Sequence, residues 1–299
     1  MNIAVVILNY NSSEDCRKCV ALLKKQSDVQ LEIIIVDNCS ADADRFFVKE
    51  LCRQENCTFI ANSENRGYNA GNNIGLRYAA EKGCEYALIA NPDMEFPDKL
   101  FLKKLISCMT ENADVVVAAG DILHAEGWHQ NPMHPDCDAW KECIGSVLFP
   151  FDVLRNYIGK KKQPSFIGDW QNSGFCEKVS GCCFLIRLEF LKQINYFDEK
   201  VFLYCEEPIL ASQVKRSGKR MYYCADATAF HNHIASAKGR TFLRMKQFFK
   251  SRNYFLTHYG CFCGSKKVLL IFKYWQFGIW CIMYGVKQLL SAVLKYVRA

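Results

Sequence analysis

The first 120 residues alternate between short apolar runs and longer segments of helical periodicity, and this alternation constrains the fold more than any other feature. The apolar runs span residues 3–8, 31–36, 58–61, 86–90 and 115–119. Helix-like segments follow the first four runs, at residues 14–25, 44–54, 70–81 and 99–110. Strands and helices in this order form right-handed βαβ units. The sequence therefore predicts an α/β fold with a Rossmann-like, mostly parallel central sheet flanked by helices.

Polar side chains follow the first four predicted strands where each strand ends. They are Asn9 and Asn11, then Asp37 and Asn38, then Asn62 and Asn65, and finally Asn91 and Asp93. Asn and Asp are also common turn and helix-capping residues, which is an alternative explanation for some of them. Open α/β sheets bind ligands at the carboxyl ends of their strands, so four polar ends on one edge favour a small-molecule site.

The second half of the chain has a less regular pattern. Residues 124–177 show no clean periodicity and are interpreted as a variable excursion. Beyond them, residues 179–187, 219–224 and 228–230 are predicted strands, and residues 188–194, 206–217 and 242–258 are predicted helices. The chain contains no P-loop, no G-x-G-x-x-G after the first strand, no G-x-S-x-G and no H-E-x-x-H. These absences disfavour P-loop, dinucleotide, serine-hydrolase and zinc-protease chemistry.

Charge is distributed unevenly along the chain. Residues 238–299 contain 12 Lys and Arg and no Asp or Glu, whereas residues 1–237 carry 26 basic and 31 acidic side chains. Basic residues among Tyr274, Trp275, Phe277, Trp280 and Tyr284 favour a helix that lies on an anionic membrane surface. A membrane span over residues 268–286 and a core or homodimer helix are the alternatives. Nucleic acid is disfavoured because the body is acidic.

Cysteine usage and the amino terminus point to a reducing compartment. The 17 cysteines are odd in number and lie mostly within apolar stretches, which is typical of free thiols. Cys16 and Cys19 have no second pair at zinc-ribbon spacing, so a packing role is favoured over a metal or redox role. No secretory signal is recognised. The expected location is the cytoplasmic face of the plasma membrane, with peripheral attachment.

Eight segments, taken in order, resemble the motifs of family 2 glycosyltransferases, which have the GT-A fold, and in particular their bacterial rhamnosyltransferase-like branch. The segments are VVILNYN at 5–11, VDNCS at 36–40, NRGYNAGNNIG at 65–75, NPD at 91–93, VSGCCFLIR at 179–187, FDE at 197–199, FLYCEE at 202–207 and FHNH at 230–233. The resemblance covers about residues 3–258. It implies a GT-A catalytic domain at 1–237, with a donor half at about 1–120 and an acceptor half at about 121–237. Residues 238–299 would be a helical, membrane-associating extension.

The resemblance also implies roles for residues of the donor half. Donor-binding residues would be Asn9 and Asn11 at the base, Asp37 and Asn38 at the nucleoside, and Asn65, Gly67, Tyr68, Asn72 and Asn91 around the rest of the donor. Asp93 would bind Mg²⁺ or Mn²⁺, with His231 and His233 as further candidate ligands. The family often has Asp at the position of Asn91, so this chain has one anionic metal ligand fewer.

The catalytic base implied by the resemblance is Glu207, at a position where the family usually has Asp. It would deprotonate an acceptor hydroxyl in an inverting transfer from a nucleotide sugar, such as dTDP-rhamnose or a UDP-sugar. The acceptor would be a glycan, with polyprenyl diphosphate as a candidate carrier, in the synthesis of O-antigen or capsule. Glu206, Glu207 and Pro208 also suit the first turn of a helix without any catalytic role. A catalytically inactive nucleotide-sugar-binding subunit is the alternative function.

Overall fold

The computed structural model describes residues 2–135, 141–147, 167–232, 241–260 and 266–298. The strands within these ranges are β1 (Asn2–Asn9), β2 (Gln30–Asp37), β3 (Thr58–Ala61), β4 (Tyr86–Ala90), β5 (Met94–Glu95), β6 (Val115–His124), β7 (Gly174–Cys176), β8 (Cys183–Arg187) and β9 (Arg220–His231). The helices are α1 (Ser13–Leu23), α2 (Asp42–Glu55), α3 (Tyr68–Glu81), α4 (Phe101–Glu111), α5 (141–147), α6 (Leu188–Gln193), α7 (Glu206–Arg216), α8 (Thr241–His258) and α9 (Lys266–Arg298).

The described strands form one sheet in the order β3-β2-β1-β4-β8-β6-β9-β5, and β7 pairs with β9. β1, β2, β3 and β4 pair in parallel, and β9 pairs in parallel with β6. β8 lies antiparallel between β4 and β6, so β6 and β9 run in the same direction as β1. The prediction of an α/β fold with a mostly parallel sheet is confirmed.

Most predicted elements are found within two residues of their expected ends. The strand predicted at 115–119 continues five residues further, to His124. The predicted strand over 179–187 begins only at Cys183. The strands predicted at 219–224 and 228–230 are one strand, β9, in which three extra residues bulge out between the partners of Gly120 and Asp121. β5 and β7 were not predicted, because two or three residues are too few to show a periodicity.

The sheet is covered on both faces, which explains why its central strands read as continuous apolar runs. Ile3, Val5 and Ile7 of β1 pack in one hydrophobic cluster, and Ala4 and Val6 pack in the other. The first cluster includes Cys16 and Cys19, which are buried free thiols. Alternate side chains of one strand therefore serve two different cores.

The described residues fall into two compact units. The first comprises the described residues up to Pro135 together with 167–232, and the second comprises α5, α8 and α9. The sequence-based division placed residues 141–147 in the acceptor half, whereas the structure groups them with the C-terminal helices. Local periodicity gives no indication of this grouping, because the packing of α5 depends on residues more than 100 positions away.

A buried ion-pair cluster connects the helices of the second unit. Glu142 of α5 lies 2.9 Å from Arg252 Nη2 of α8 and 2.5 Å from Lys273 Nζ of α9. Lys273 is only 3% exposed. Burial on its own would raise the pKa of Glu142, but the hydrogen bonds and charges of Arg252 and Lys273 outweigh it, and the pKa falls to about 2.

Helix α9 presents two opposite faces. The inner face carries Lys273 and an aromatic group that packs around Phe242 of α8, formed by Phe277, Trp280 and Tyr284. The outer face, half a helical turn away, carries four apolar side chains that are 58% to 69% exposed: Ile271, Trp275, Ile282 and Leu289. Across the described parts of the chain, the helices lack the combination of length and apolar character that crossing a membrane requires.

Candidate active site

The parallel strands bring their carboxyl ends to one edge of the sheet. Asn9 at the end of β1 is paired with Asp37 at the end of β2, and His124 of β6 is paired with His231 of β9. The antiparallel strand β8 begins at the same edge, since Cys183 pairs with Ala90 at the end of β4. Of the predicted site residues, His233 lies outside the described residues.

The ends of β1 and β2 at this edge are organised by Asn9. Its Nδ2 donates to Asp37 Oδ1 at 2.9 Å, to Ser40 Oγ at 3.0 Å and to Asp44 Oδ1 at 2.7 Å. Arg45 Nε lies 3.1 Å from Asp37 Oδ2 and balances its charge. Asn9 and Asp37 are both 0% exposed, so the geometry gives Asn9 the role of holding Asp37, Ser40 and Asp44 together.

Asp44 and Arg45 were not singled out by the sequence analysis. Burial would raise the pKa of Asp44, but hydrogen bonds from Asn9 and Ser13 lower it below its ordinary value. Their sequence context did not set them apart. Asp44 and Arg45 lie near the start of α2, where an acidic residue is read as an ordinary first-turn residue.

The amide side chains that follow β2 and β3 form a connected group. Asn38 Nδ2 donates to Asn65 Oδ1 at 3.0 Å and to Gly67 O at 3.3 Å, and Asn62 Nδ2 donates to Asn38 Oδ1 at 3.1 Å. Asn11 is exposed, has a φ of 55° and accepts from the Ala41 backbone N–H at 2.8 Å. Asn38 therefore ties the end of β2 to the loop that precedes α3.

The loop before α3 approaches the acceptor half closely at Gly67. Gly67 has a φ of +100°, and a Cβ at this position would lie 2.2 Å from Phe202 O. The next residue, Tyr68, donates its backbone N–H to the same oxygen at 2.9 Å. Only glycine combines this φ with this approach at low cost.

Helix α3 holds the loop at Phe197 and Asp198 through buried amides. Asn69 Nδ2 donates to Asp198 O at 2.7 Å, and the Asn73 side chain both accepts from and donates to the backbone of Phe197. The predicted donor residue Asn72 is 1% exposed and donates to Tyr68 O at 3.0 Å. Sequence reasoning missed the roles of Asn69 and Asn73, although three asparagines in an otherwise apolar helix are an indication that these amides bond within the protein.

Asp93 and His231 form the part of the edge that suits a divalent cation. His231 Nε2 lies 3.1 Å from Asp93 Oδ1, and Gln130 Oε1 lies 3.1 Å from His231 Nδ1. A carboxylate oxygen of Asp93 and an imidazole nitrogen of His231 therefore face each other. Gln130 orients the ring from its other nitrogen, as hydrogen-bond partners of metal-binding histidines usually do. No group of three or more His, Cys, Asp or Glu within the described ranges could hold a metal ion. The residues fit a Mg²⁺ or Mn²⁺ held by two protein ligands, with water and ligand oxygens completing its coordination.

Burial would lower the pKa of His231, but its hydrogen bond with Asp93 and its contact with Cys182 raise the pKa to about 10 when no cation is bound. A metal ion held by Nε2 would therefore have to displace a proton from the ring. Asn91 donates its backbone N–H to Cys182 O at 2.8 Å, which ties the end of β4 to the segment before β8. Asn91 is half-buried, and it lies two positions before Asp93 in the sequence.

Glu206 and Glu207 begin α7 and line a small recess together with Tyr68. Tyr204 and Cys205 immediately before them have φ values of 73° and 67°. Such left-handed backbone in residues other than glycine costs about 1–3 kcal/mol per residue and is concentrated at functional sites.

The two glutamates have different surroundings. Glu207 Oε1 accepts from the Gly181 backbone N–H at 3.3 Å. Glu206 Oε1 is buried and has no hydrogen-bond partner among the residues that the structure describes. Burial, followed by the nearby charge of Glu207, raises the pKa of Glu206 to about 8. The recess therefore holds a neutral acid beside a carboxylate that is anchored by a backbone N–H.

Comparison with known proteins identifies the class to which this arrangement belongs. Residues 4–194 match the family described as glycosyl transferase family 2. The chain is 26% identical over 232 residues to the low-salt glycan biosynthesis hexosyltransferase Agl10 of Haloferax volcanii, covering 77% of this chain and 67% of that protein. It is 24% identical over 249 residues to the rhamnosyltransferase WbbL of Escherichia coli, covering 80% and 85%. It is 21% identical over 248 residues to the N-acetylglucosaminyl-diphospho-decaprenol L-rhamnosyltransferase of Mycobacterium tuberculosis, covering 79% and 77%.

Solved structures share the fold. The structure of S. aureus TarS 1-349 in complex with UDP-GlcNAc has a TM-score of 0.58 at 16% identity, covering 93% of this chain and 73% of that one. The structure of GalNAc-T7 with UDP, GalNAc and Mn²⁺ has a TM-score of 0.61 at 13% identity, covering 85% and 47%. The predicted GT-A fold is confirmed by these likenesses.

The chain belongs to glycosyl transferase family 2. It is a glycosyltransferase of the rhamnosyltransferase-like branch of that family, with a GT-A fold and a C-terminal helical extension. Its relatives act in glycan and polysaccharide biosynthesis.

Proposed function

We propose that this protein is an inverting glycosyltransferase that transfers a sugar from dTDP-rhamnose or a UDP-sugar to a hydroxyl of a lipid-linked glycan. The observation that carries the proposal is that Glu207 is held by the Gly181 N–H in a recess of the same sheet edge as the Asp93–His231 pair. When a general base and a cation site lie at the same sheet edge, the base can act on the acceptor hydroxyl and the cation on the departing diphosphate.

In this mechanism, Glu207 accepts the proton of the acceptor hydroxyl while the hydroxyl oxygen attacks the anomeric carbon from the face opposite the nucleotide. The bond between that carbon and the diphosphate breaks in the same step, so no covalent enzyme intermediate is formed. Asp93 and His231 would hold Mg²⁺ or Mn²⁺, which neutralises charge on the diphosphate. Asn11, Asn38 and Asn65 orient the nucleoside, and Asp37 is held beneath them by Asn9 and Arg45.

The donor and acceptor are proposed by comparison with the relatives. Two of them are named rhamnosyltransferases, and one of these is named for an N-acetylglucosaminyl-diphospho-decaprenol acceptor. A polyprenyl-diphosphate acceptor would lie at a membrane, and O-antigen or capsule is the kind of polymer to which such a transfer contributes. The proposed location is therefore the cytoplasmic face of the plasma membrane.

The helical unit is proposed to attach the protein to an anionic membrane surface. The outer face of α9 exposes Ile271, Trp275, Ile282 and Leu289 along its length, and residues 238–299 carry 12 basic and no acidic side chains. Apolar and aromatic side chains on one face with surrounding positive charge suit a helix that lies in the interface of an anionic leaflet. The buried Lys273–Glu142 pair faces the protein side of the same helix.

The transfer is tested with purified full-length protein, dTDP- and UDP-sugars, Mn²⁺ and a polyprenyl-diphosphate-linked acceptor. Product formation and nucleotide release are measured for the wild type, Glu207→Gln and Glu189→Gln. Glu189 is an exposed glutamate in the first turn of α6, so its replacement controls for the loss of a carboxylate at a helix start. We expect one donor to be used, a loss of at least 100-fold with Glu207→Gln and no loss with Glu189→Gln.

Other outcomes of this assay are equally informative. Donor binding without turnover on any acceptor would favour an inactive nucleotide-sugar-binding subunit. Absence of binding to every donor would refute the proposed function.

Membrane attachment is tested by flotation with vesicles of phosphatidylcholine alone or with phosphatidylglycerol. The double variant Trp275→Glu/Ile282→Glu should lose binding to the anionic vesicles. The control Phe46→Glu, which replaces an exposed side chain of α2, should retain binding. Loss of a dimer in solution without any change in flotation would instead assign the outer face of α9 to a second copy of the chain.

A further inference from the structure

The side chain of Tyr68 reaches the backbone that holds Glu207. Its hydroxyl donates to Gly181 O at 2.5 Å, and the Gly181 N–H donates to Glu207 Oε1 at 3.3 Å. Gly181 is thus bonded on both sides, by a side chain from the donor half and by the proposed base. Among the described residues around the recess, Gly181 is the one whose hydrogen bonds connect the Tyr68 hydroxyl to the Glu207 carboxylate.

We propose that Tyr68 is a positioning residue that acts through Gly181 to hold the Glu207 carboxylate in its reactive orientation. This inference rests on the proposed function, in which Glu207 is the base. It assigns to Tyr68 a task different from the donor-pocket role that the family resemblance implies.

Glu207 needs such an anchor because its side chain is long. A glutamate carboxylate is joined to the backbone through three rotatable bonds, so holding it in one orientation costs conformational entropy. A hydrogen bond from a fixed backbone N–H selects one of its rotamers. The anchor is useful only if Gly181 itself does not move, and the Tyr68 hydroxyl restrains the carbonyl of that residue.

The space around Gly181 is matched to this arrangement. A Cβ on residue 181 would lie 3.2 Å from Glu207 Oε1 and 3.5 Å from its Cδ. Either the added methyl group or the carboxylate would have to move by a few tenths of an ångström. The absence of a side chain at residue 181 therefore lets the carboxylate come within reach of the backbone N–H.

Tyr68 is itself held firmly and remains a donor. Its backbone N–H bonds to Phe202 O at 2.9 Å, in the loop that leads to α7. Burial, followed by the charges of Glu206 and other nearby groups, raises the pKa of the Tyr68 phenol well above its ordinary value. The hydroxyl therefore keeps its proton and can donate it to the Gly181 carbonyl.

The kinetic test compares Tyr68→Phe with a matched control, Tyr78→Phe. Tyr78 lies on the same helix, and its hydroxyl is 3.4 Å from Thr58 Oγ1, on a side chain outside the recess. We expect Tyr68→Phe to lower kcat about tenfold with KM for donor and acceptor within about twofold, because misplacement of a base affects the chemical step. Tyr78→Phe should leave both constants unchanged.

A double-mutant cycle separates positioning from other roles. If Tyr68 acts through Glu207, Tyr68→Phe should cause no further loss in a Glu207→Gln background. Equal losses in both backgrounds, or a loss seen only in KM for the donor, would overturn the proposal.

A second readout does not depend on activity. In protein labelled with ¹⁵N-glycine, the Gly181 amide resonance is assigned by its absence from Gly181→Ala. It should shift in Tyr68→Phe and in Glu207→Gln, and not in Tyr78→Phe. An unmoved resonance in Tyr68→Phe overturns the hydrogen-bonded chain, whereas a wild type without transfer on any donor overturns the proposed function.

Discussion

Replacing Glu206 with glutamine removes the buried acid of the recess and should make the protein more stable at neutral and alkaline pH. Glu206 has an ordinary pKa of 4.5, and burial, followed by the charge of Glu207, raises it to about 8. Glutamine has nearly the same shape and no proton to lose. It therefore keeps the packing of the recess and removes only the free energy of ionising a carboxylate there.

The direction follows from proton binding. Above about pH 4.5 the unfolded chain loses the Glu206 proton while the folded protein retains it, so the free energy of unfolding falls as the pH rises towards 8. Each unit of pKa shift is equivalent to about 1.4 kcal/mol, which sets a ceiling of about 5 kcal/mol. Because Glu206 is partly exposed, we expect about half of this, or roughly 2–3 kcal/mol at pH 8.

The assay is thermal unfolding of wild type and Glu206→Gln between pH 5 and pH 8.5. A gain of 2–3 kcal/mol corresponds to about 5–10 °C in Tm for a unit of this size. The difference between the two proteins should be near zero at pH 5 and grow with pH. Glu189→Gln serves as the control for removing an exposed carboxylate. A difference that is constant with pH, or a variant less stable at pH 8, would refute the reasoning.

Three further perturbations have expected outcomes. Glu142→Gln should destabilise the helical unit by about 3–5 kcal/mol, since two buried cations lose their counter-charge. The loss of stability is measured as faster protease cleavage of that unit. In the wild type, resistance to cleavage should fall only as the pH drops from 4.5 towards 2. Gly67→Ala should lower the free energy of unfolding, measured in urea, by at least about 3 kcal/mol, whereas Gly83→Ala, which has open space around it, should lower it by about 1 kcal/mol. Equal losses in the two variants would contradict the close approach of Gly67 to Phe202. Asn91→Asp should tighten Mn²⁺ binding about tenfold by electron paramagnetic resonance, and unchanged binding would argue against the cation site.

The fold could be predicted from the sequence because its signals are local. β1 and β4 are buried on both faces, so each reads as an uninterrupted apolar run, and the polar residues that follow them mark the strand ends. Pairing partners were harder to predict. β8 runs antiparallel between two parallel strands, and nothing in residues 183–187 alone indicates that direction.

The site could be predicted only in part, since a motif gives residue types and not their surroundings. Glu207 lies in the recess with Glu206, and Asp93 faces His231. Asn9, by contrast, is completely buried, and its amide is shared between two carboxylates. That difference depends on α2 folding over the end of β1, which brings together residues 35 positions apart.

The junction between the loop before α3 and the loop before α7 limits how this enzyme can be re-engineered. Gly67 leaves room for the Phe202 carbonyl, and the Tyr68 backbone N–H donates to that oxygen. The side chains of Asn69 and Asn73 donate to the backbone carbonyls of Asp198 and Phe197. A chimera joined between these two loops, with residues 1–120 from one relative and the rest from another, would separate these contacting residues. Residues 65–73 and 197–207 should therefore be transplanted together, as one structural unit assembled from two distant stretches of chain.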